Sequence, residues 1–168
     1  MTSPEHRTAP AASWLEVSTE NCSVQAALDV VGNKWALLVL RELFNGVRRF
    51  DEICVHAGIS EAVLARRLKE LIAAGVVEAR PYREAGQRPR QEYVPTPAGW
   101  DLFPVVVGLL QWGDRYRAPS QAGSWRVSHR SCDTPVEVRV VCPEHPLEPI
   151  DHHGTRTAPG PSAIFGSL

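Results

Sequence analysis

Two pairs of residues with the spacing of metal ligands stand near the C-terminus: His129 with Cys132, and Cys142 with His145. Imidazole and thiolate are donors that a tetrahedral Zn2+ takes, and paired spacing of this kind suits a small zinc ribbon. The order is unusual for such a site, and Pro143 and Pro146 crowd the second pair. A β-hairpin with incidental cysteines explains the same residues, and His152-His153 adds nothing firm. Cys22 stands apart from these. It precedes a helix expected from Ser23, where backbone amides would lower the thiol pKa and favour the reactive thiolate; a buried structural thiol is the alternative. Cys54 falls on an inward helical face and reads as structural. Four cysteines in 168 residues are not a disulfide scaffold, so metal or redox roles are the better expectation. No glycine-rich phosphate loop, paired carboxylates or His-Cys-Asp constellation occurs. No enzyme is expected and no cofactor is required; a Zn2+ at the two pairs is an option the spacing leaves open.

Charge is the other chemistry present. The formal net charge is −1, so the chain is no general polyanion binder, and affinity for nucleic acid must come from local clustering. Arg80, Arg83, Arg88 and Arg90 form such a cluster against the lone Glu84, in a loop punctuated by Gly86 and Pro89. Arginines on a hairpin tip suit phosphate contact or a narrow minor groove, though an exposed hairpin also carries them for solubility.

The elements that would position these groups follow one another from Gly46 to Pro95. The spacing predicts a helix over residues 60–74. Ser60 stands where an N-cap belongs, Glu61 places a negative charge in the first turn, and Gly75 closes the helix. Leu64, Leu68, Leu71 and Ile72 recur at three and four and point inward. Glu61, Ala62, Ala65, Arg66 and Lys69 form a small, partly cationic outer face. That face would approach a groove, with Arg66 and Lys69 reaching a base edge or phosphate; it is also what any solvated helix face looks like. Upstream, Arg48 and Arg49 begin a short helix with Phe50, Ile53 and Cys54 inward, and residues 55–59 make a turn in which Gly58 is free to take positive φ. Downstream, residues 76–82 and 91–94 read as strands flanking the arginine-rich loop. Helix, turn, helix and hairpin in that order make a winged helix-turn-helix.

Several separated stretches carry a more specific resemblance: CSVQAALDVVGNKW over residues 22–35, LREL from Leu40, GVRRF from Gly46, Ile59-Ser60, LARRL from Leu64, Leu71, GVV from Gly75, and YVPTPAG from Tyr93. Together, over residues 22–116, they resemble the HxlR family of bacterial winged-helix transcriptional regulators. The resemblance implies a homodimeric, DNA-binding regulator that answers redox-active or small-molecule signals, with repression the commoner habit. It also implies a sensing role for Cys22, which matches a cysteine that detects oxidants or electrophiles in some relatives. Longer relatives often carry a Cys- and His-containing tail.

Around this centre, residues 1–20 are rich in Pro, Ala, Ser and Thr and are expected to be a flexible arm. Trp14, Leu15 and Val17 are the exceptions, able to dock on the domain or on a second copy. Residues 21–117 are expected to form the DNA-binding and dimerisation domain. Its first helix runs from Ser23 through Val24, Ala27, Leu28 and Val31, capped by Ser23 or Asn21. Lys34 and Trp35 open the next, whose Leu37, Leu38, Leu40, Leu43 and Phe44 would centre the core; Lys34 either meets a phosphate or caps a surface. Thr96 and Pro97 cap and begin a long helix running to about Arg117 and kinked at Pro104. That helix is apolar nearly all round and must be covered, either in cis by the C-terminal segment or by its copy in a second chain. The second arrangement is the expectation, with Trp100, Phe103, Val106, Val107 and Leu110 at the interface. Residues 118–154 read as a small β-rich extension with a strand over residues 136–141, and residues 155–168 as a disordered tail.

The fold class expected is therefore mainly α with a small β-hairpin (α+β): a winged helix-turn-helix with a long C-terminal dimerisation helix and a short β-rich extension. No apolar run is long enough to span a membrane and no secretory leader is evident, so a cytoplasmic protein is expected. The partners expected are a second copy, a roughly palindromic double-stranded DNA operator and a small-molecule effector. Lys34, Arg48, Arg49 and the wing arginines Arg83, Arg88 and Arg90 would hold phosphates. Ser60, Glu61, Ala62, Ala65, Arg66 and Lys69 would read sequence. The rival is a winged-helix module that binds another protein or a ligand and no DNA.

Overall fold

The computed structural model describes residues 14–83, 86, 88–117, 123 and 125–165. The expectations for the first part of the arm, Glu84 at the wing tip, most of residues 118–124 and the last three residues lie outside the described residues. Two compact units emerge: residues 30–139, and residues 1–29 together with 140–168.

The larger unit is built on α2 (Lys34–Phe44), capped by the Asn33 side chain, which accepts from Trp35 N at 2.9 Å. Ala36, Val39, Leu40 and Leu43 are sealed in the core, whereas Leu37, Leu38 and Phe44 lie half-buried at its edge. The centre of the core thus sits one residue round from where the largest side chains pointed. Helix α3 (Phe50–Ala57) buries Ile53 and continues through residues assigned to a turn. Only Gly58, Ile59 and Ser60 connect it to α4, because Gly58 reverses the chain in one step at φ 62°, ψ 35°. Helix α4 (Glu61–Ala73) buries Leu64, Leu68 and Leu71. Ile72, expected among them, is partly exposed; it lies about 80° round from Leu64 at 100° per residue. Ser60 takes the extended conformation of an N-cap without a side-chain cap bond.

Gly75, at φ 70°, ends α4 and leads into β1 (Val77–Tyr82), which pairs antiparallel with β2 (Arg90–Pro95) from Val77↔Pro95 to Tyr82↔Arg90. The loop ahead of α3 adds a third edge: Arg49 bridges Glu92, and Tyr93 N donates to Arg48 O at 2.9 Å. Thr96 then does two things. Its hydroxyl accepts from Gly99 N at 3.1 Å as the cap of α5 (Pro97–Trp100) and donates to Gly75 O at 2.6 Å, tying the end of the wing to its beginning.

The single kinked helix expected from Pro97 is two helices. The chain breaks at Asp101 and Leu102, and α6 (Phe103–Tyr116) begins with Pro104 in its first turn. A proline there costs nothing because that turn has no partner for its N–H. Phe44 seats the junction, with its ring 5.0 Å from Trp100 and 5.4 Å from Phe103. One face of α6 is covered in cis. Residues 125–138 fold back on themselves at the Ser128–Pro135 bridge, and Gln111 donates to Val136 O at 2.7 Å and accepts from Val138 N at 3.0 Å. Gln111 thereby satisfies backbone groups that a neighbouring strand would otherwise take, and only Val141 of the strand expected over 136–141 is one.

In the smaller unit, a 3-10 turn (Trp14–Glu16) is followed by a bridge between Val17 and Phe165, and Ser18 N donates to Ile164 O at 2.8 Å. Part of the tail expected to be disordered is thus paired with the arm. Strands β3 (Val141–Cys142) and β4 (His145–Pro149) form a small hairpin. Helix α1 (Ser23–Val31) leaves Val24 and Leu28 exposed and buries Val31. No helix among the described residues is long and apolar enough to cross a membrane.

Gly99 packs directly under β1, where an added Cβ would run into the Val76 carbonyl oxygen. Gly99→Ala should therefore lower unfolding free energy by about 1–3 kcal/mol, measured by urea denaturation; an unchanged midpoint would show that α5 is free to shift.

Candidate nucleic-acid interface

The outer face of α4 carries Glu61, Ala62, Ala65, Arg66 and Lys69, all exposed and on the side opposite the sealed leucines, with exposed Ser60 at its start. Ala62 and Ala65 keep this face low, so a flat surface could approach the helix closely. Arg67 behaves differently from Arg66. It is largely buried and pairs with Glu70 one turn on, while its Nε has no hydrogen-bond partner. Of the two adjacent arginines, only Arg66 faces fully outward.

The wing is basic, and it is joined to the residues before α3. Arg49 lies over the Tyr82 ring at 5.0 Å and 3.9 Å from Glu52, and Arg48 is exposed beside it. Arg83, Arg88 and Arg90 are exposed. Arg80 is committed to Glu78, two residues back on the same strand. The predicted phosphate contacts Arg48 and Arg49 and the wing thus form one neighbourhood. Lys34 belongs to another: its Nζ sits 4.5 Å from the Trp35 ring, and it lines a groove between α2 and α6 with Leu37, Leu38, Arg41, Leu109 and Trp125.

On α6 the residues expected at a dimer interface differ in their exposure within the single chain. Val106 and Val107 are buried within the chain itself, and Phe103 and Leu110 are half-buried. The exposed apolar residues are instead Val105, Leu109, Trp112 and Tyr116, at intervals of four, three and four, with Trp100 ahead of them. That spacing makes a single stripe along the helix.

The thiols have distinct surroundings. Cys22 is half-buried directly before α1, where its carbonyl accepts from Ala26 N at 3.0 Å. It lines a cavity of about 310 Å³ with Trp14, Val17, Asn21, Pro159 and Ala163. Burial, and then the carboxylates of Glu61 and Asp51, push the Cys54 thiol up. Cys132 is exposed, and hydrogen bonds from the Thr134 side chain and backbone hold its thiol below the usual range. His129 Nδ1 lies 3.2 Å from Cys132 Sγ and 3.1 Å from Ser131 Oγ, while Cys142 and His145 face each other across the β3–β4 turn. Among the described residues, no three His, Cys, Asp or Glu side chains gather to hold a metal ion.

Sequence reasoning missed one group. Glu42, in the last turn of α2, is 1% exposed and lies 2.6 Å from His56 Nδ1. The only signal was a glutamate inside the apolar run KWALLVLRELF, on the same helical face as Leu38.

The profile of the HxlR-like helix-turn-helix family matches residues 30–121. An uncharacterized HTH-type transcriptional regulator of Mycobacterium tuberculosis is 38% identical over 151 residues, covering 90% of this chain and 94% of its own. Another such regulator, YdeP of Bacillus subtilis, is 33% identical over 99 residues, covering 58% and 76%. Among solved structures, the candidate transcription factor PA1607 superposes with a TM-score of 0.72 at 32% identity, over 82% of this chain and 94% of its own. The redox regulator HypR in its oxidized form superposes with a TM-score of 0.51 at 30% identity, over 58% and 99%. With its family profile over more than half the chain and a relative aligned along nearly all of it, the protein belongs to the HxlR-like helix-turn-helix transcriptional regulators.

Proposed function

We propose that the chain is a cytoplasmic, homodimeric repressor that reads a roughly palindromic site in double-stranded DNA. The observation that carries this reading is α4, whose underside is sealed while Glu61, Ala62, Ala65, Arg66 and Lys69 stay outside. A helix presented in this way enters the major groove, and its side chains meet base edges there. Arg48, Arg49, Arg83, Arg88 and Arg90 supply sequence-independent phosphate contacts, which the net charge of −1 could not provide without clustering. Lys34, on a different groove, has no support from its neighbours for a phosphate role.

Two copies joined along the α6 stripe of Val105, Leu109, Trp112 and Tyr116 would hold two reading helices at a fixed separation. Removing this apolar stripe from water is the driving force. Cys22, half-buried beside a cavity, is the thiol whose modification by an oxidant or electrophile would carry the signal. Modification there would change the register of the dimer and so its hold on DNA; the fold shared with the redox regulator HypR is consistent with that signal.

Arg66→Ala should weaken binding to the operator more than to random DNA. Arg88→Ala should weaken both alike and lower the slope of log affinity against log salt by about 1. Equal loss on both duplexes for Arg66→Ala would remove it as a reader. Leu109→Asp should convert the dimer to a monomer in sedimentation runs at micromolar concentration, and a persisting dimer would place the interface elsewhere. The opposed shifts of the thiols set an order of reactivity: near neutral pH, iodoacetamide should label Cys132 well before Cys54, as peptide mass mapping would record, and the reverse order would contradict the assigned surroundings.

A further inference from the structure

Glu42 is the one charged side chain sealed in the core among the described residues. Its carboxylate is gripped from two directions. Oε1 accepts from the Arg41 guanidinium, with Nε at 2.9 Å, and Oε2 lies 2.6 Å from His56 Nδ1 in the last turn of α3. Its main-chain carbonyl accepts from Val47 N at 3.0 Å, in the loop leading into α3. The Glu42 side chain therefore holds the neighbouring helix at its end, while the Val47 bond closes α2 itself beyond Gly46 at φ 81°.

Packing alone gives no reason for this arrangement. Leu40, Leu43 and Ile53 already bury the contact between α2 and α3. An ionised carboxylate withdrawn from water is costly unless donors meet both oxygens. What the pair adds is direction. Apolar contacts are non-directional, whereas a charge-assisted hydrogen bond fixes distance and angle. His56 is also the last polar side chain before the turn: α3 ends at Ala57, Gly58 reverses the chain, and α4 starts at Glu61. A rotation of α3 about its own axis would be passed on to α4 within a few residues.

We propose that Glu42 is a positioning residue for the reading helix: through His56 it fixes the end of α3, and thereby the angle at which α4 meets its preferred base sequence. The proposal rests on α4 being the reader. It places sequence discrimination partly under the control of a residue that touches no DNA.

The test uses the full-length protein. The wild-type chain selects duplexes from a randomised pool, and fluorescence anisotropy then gives affinities for a selected and a scrambled duplex at one salt concentration. His56 is mostly exposed, so it can be replaced without opening the core. His56→Ala should reduce the ratio of the two affinities on the order of tenfold, read well below the Tm, which falls because Oε2 loses its donor. His56→Lys, which returns a hydrogen-bond donor to Oε2, should recover most of that ratio, and Glu42→Gln should resemble His56→Ala. An unchanged ratio in His56→Ala would overturn the proposal. Equal loss on both duplexes would do the same, because it would make His56 a phosphate contact. Failure of His56→Lys to recover the ratio would reduce Glu42 to a structural carboxylate. A wild-type chain that selects no sequence would remove α4 as the reader, and the proposal with it; that failure is visible before any variant is made.

Discussion

Leu64, Leu68 and Leu71 bind α4 to the rest of the domain through a contact that is almost completely dry. Burying a leucine side chain is worth about 1.5–3 kcal/mol, so these three together outweigh any pairing of charges on the opposite face, where exposed ion pairs contribute about 0–1 kcal/mol each. This imbalance decides the orientation of the helix. Residues between the leucines are turned outward whatever their chemistry, and Ala62, Ala65, Arg66 and Lys69 are thereby presented as a set. The short Gly58–Ser60 connection and the Gly75 turn then leave α4 little freedom to roll.

The same logic explains how the wing is supported. Thr96 ties the end of β2 to Gly75, and the bridge from Arg49 to Glu92 ties β2 to the start of α3. Helix, wing and the arginines before α3 are therefore parts of one braced surface. Cations cluster on it although the chain as a whole carries a formal charge of −1. Clustering of this kind, rather than net charge, is what directs a polyanion to one face of a protein.

Much of this was legible in the sequence because period and punctuation agreed. The leucine spacing of α4, the glycine after it and the strand-like runs flanking the arginine-rich loop all pointed to the same elements. The misses have physical causes. Pro104 looked like a kink in a long helix, but a break at Asp101 moved it into a first turn, where it is harmless. The valines of residues 136–141 have high strand propensity, yet Gln111 supplies the hydrogen bonds that a neighbouring strand would have supplied. Val106 and Val107 looked like interface because nothing in the pattern distinguishes apolar residues covered in cis from those covered by a second copy. Glu42 was missed for a related reason: a glutamate in an apolar run looks like a solvated position until its partner, fourteen residues away, is known.

The account turns on α4 meeting the bases with its polar side. An NMR titration of the isotopically labelled full-length protein with a selected duplex tests this most directly. The account predicts the largest amide shifts at Ser60, Glu61, Ala62, Ala65, Arg66 and Lys69, with smaller ones at Arg48 and along the wing. Shifts confined to α6 or to the smaller unit, with the α4 amides unmoved at saturation, would contradict it.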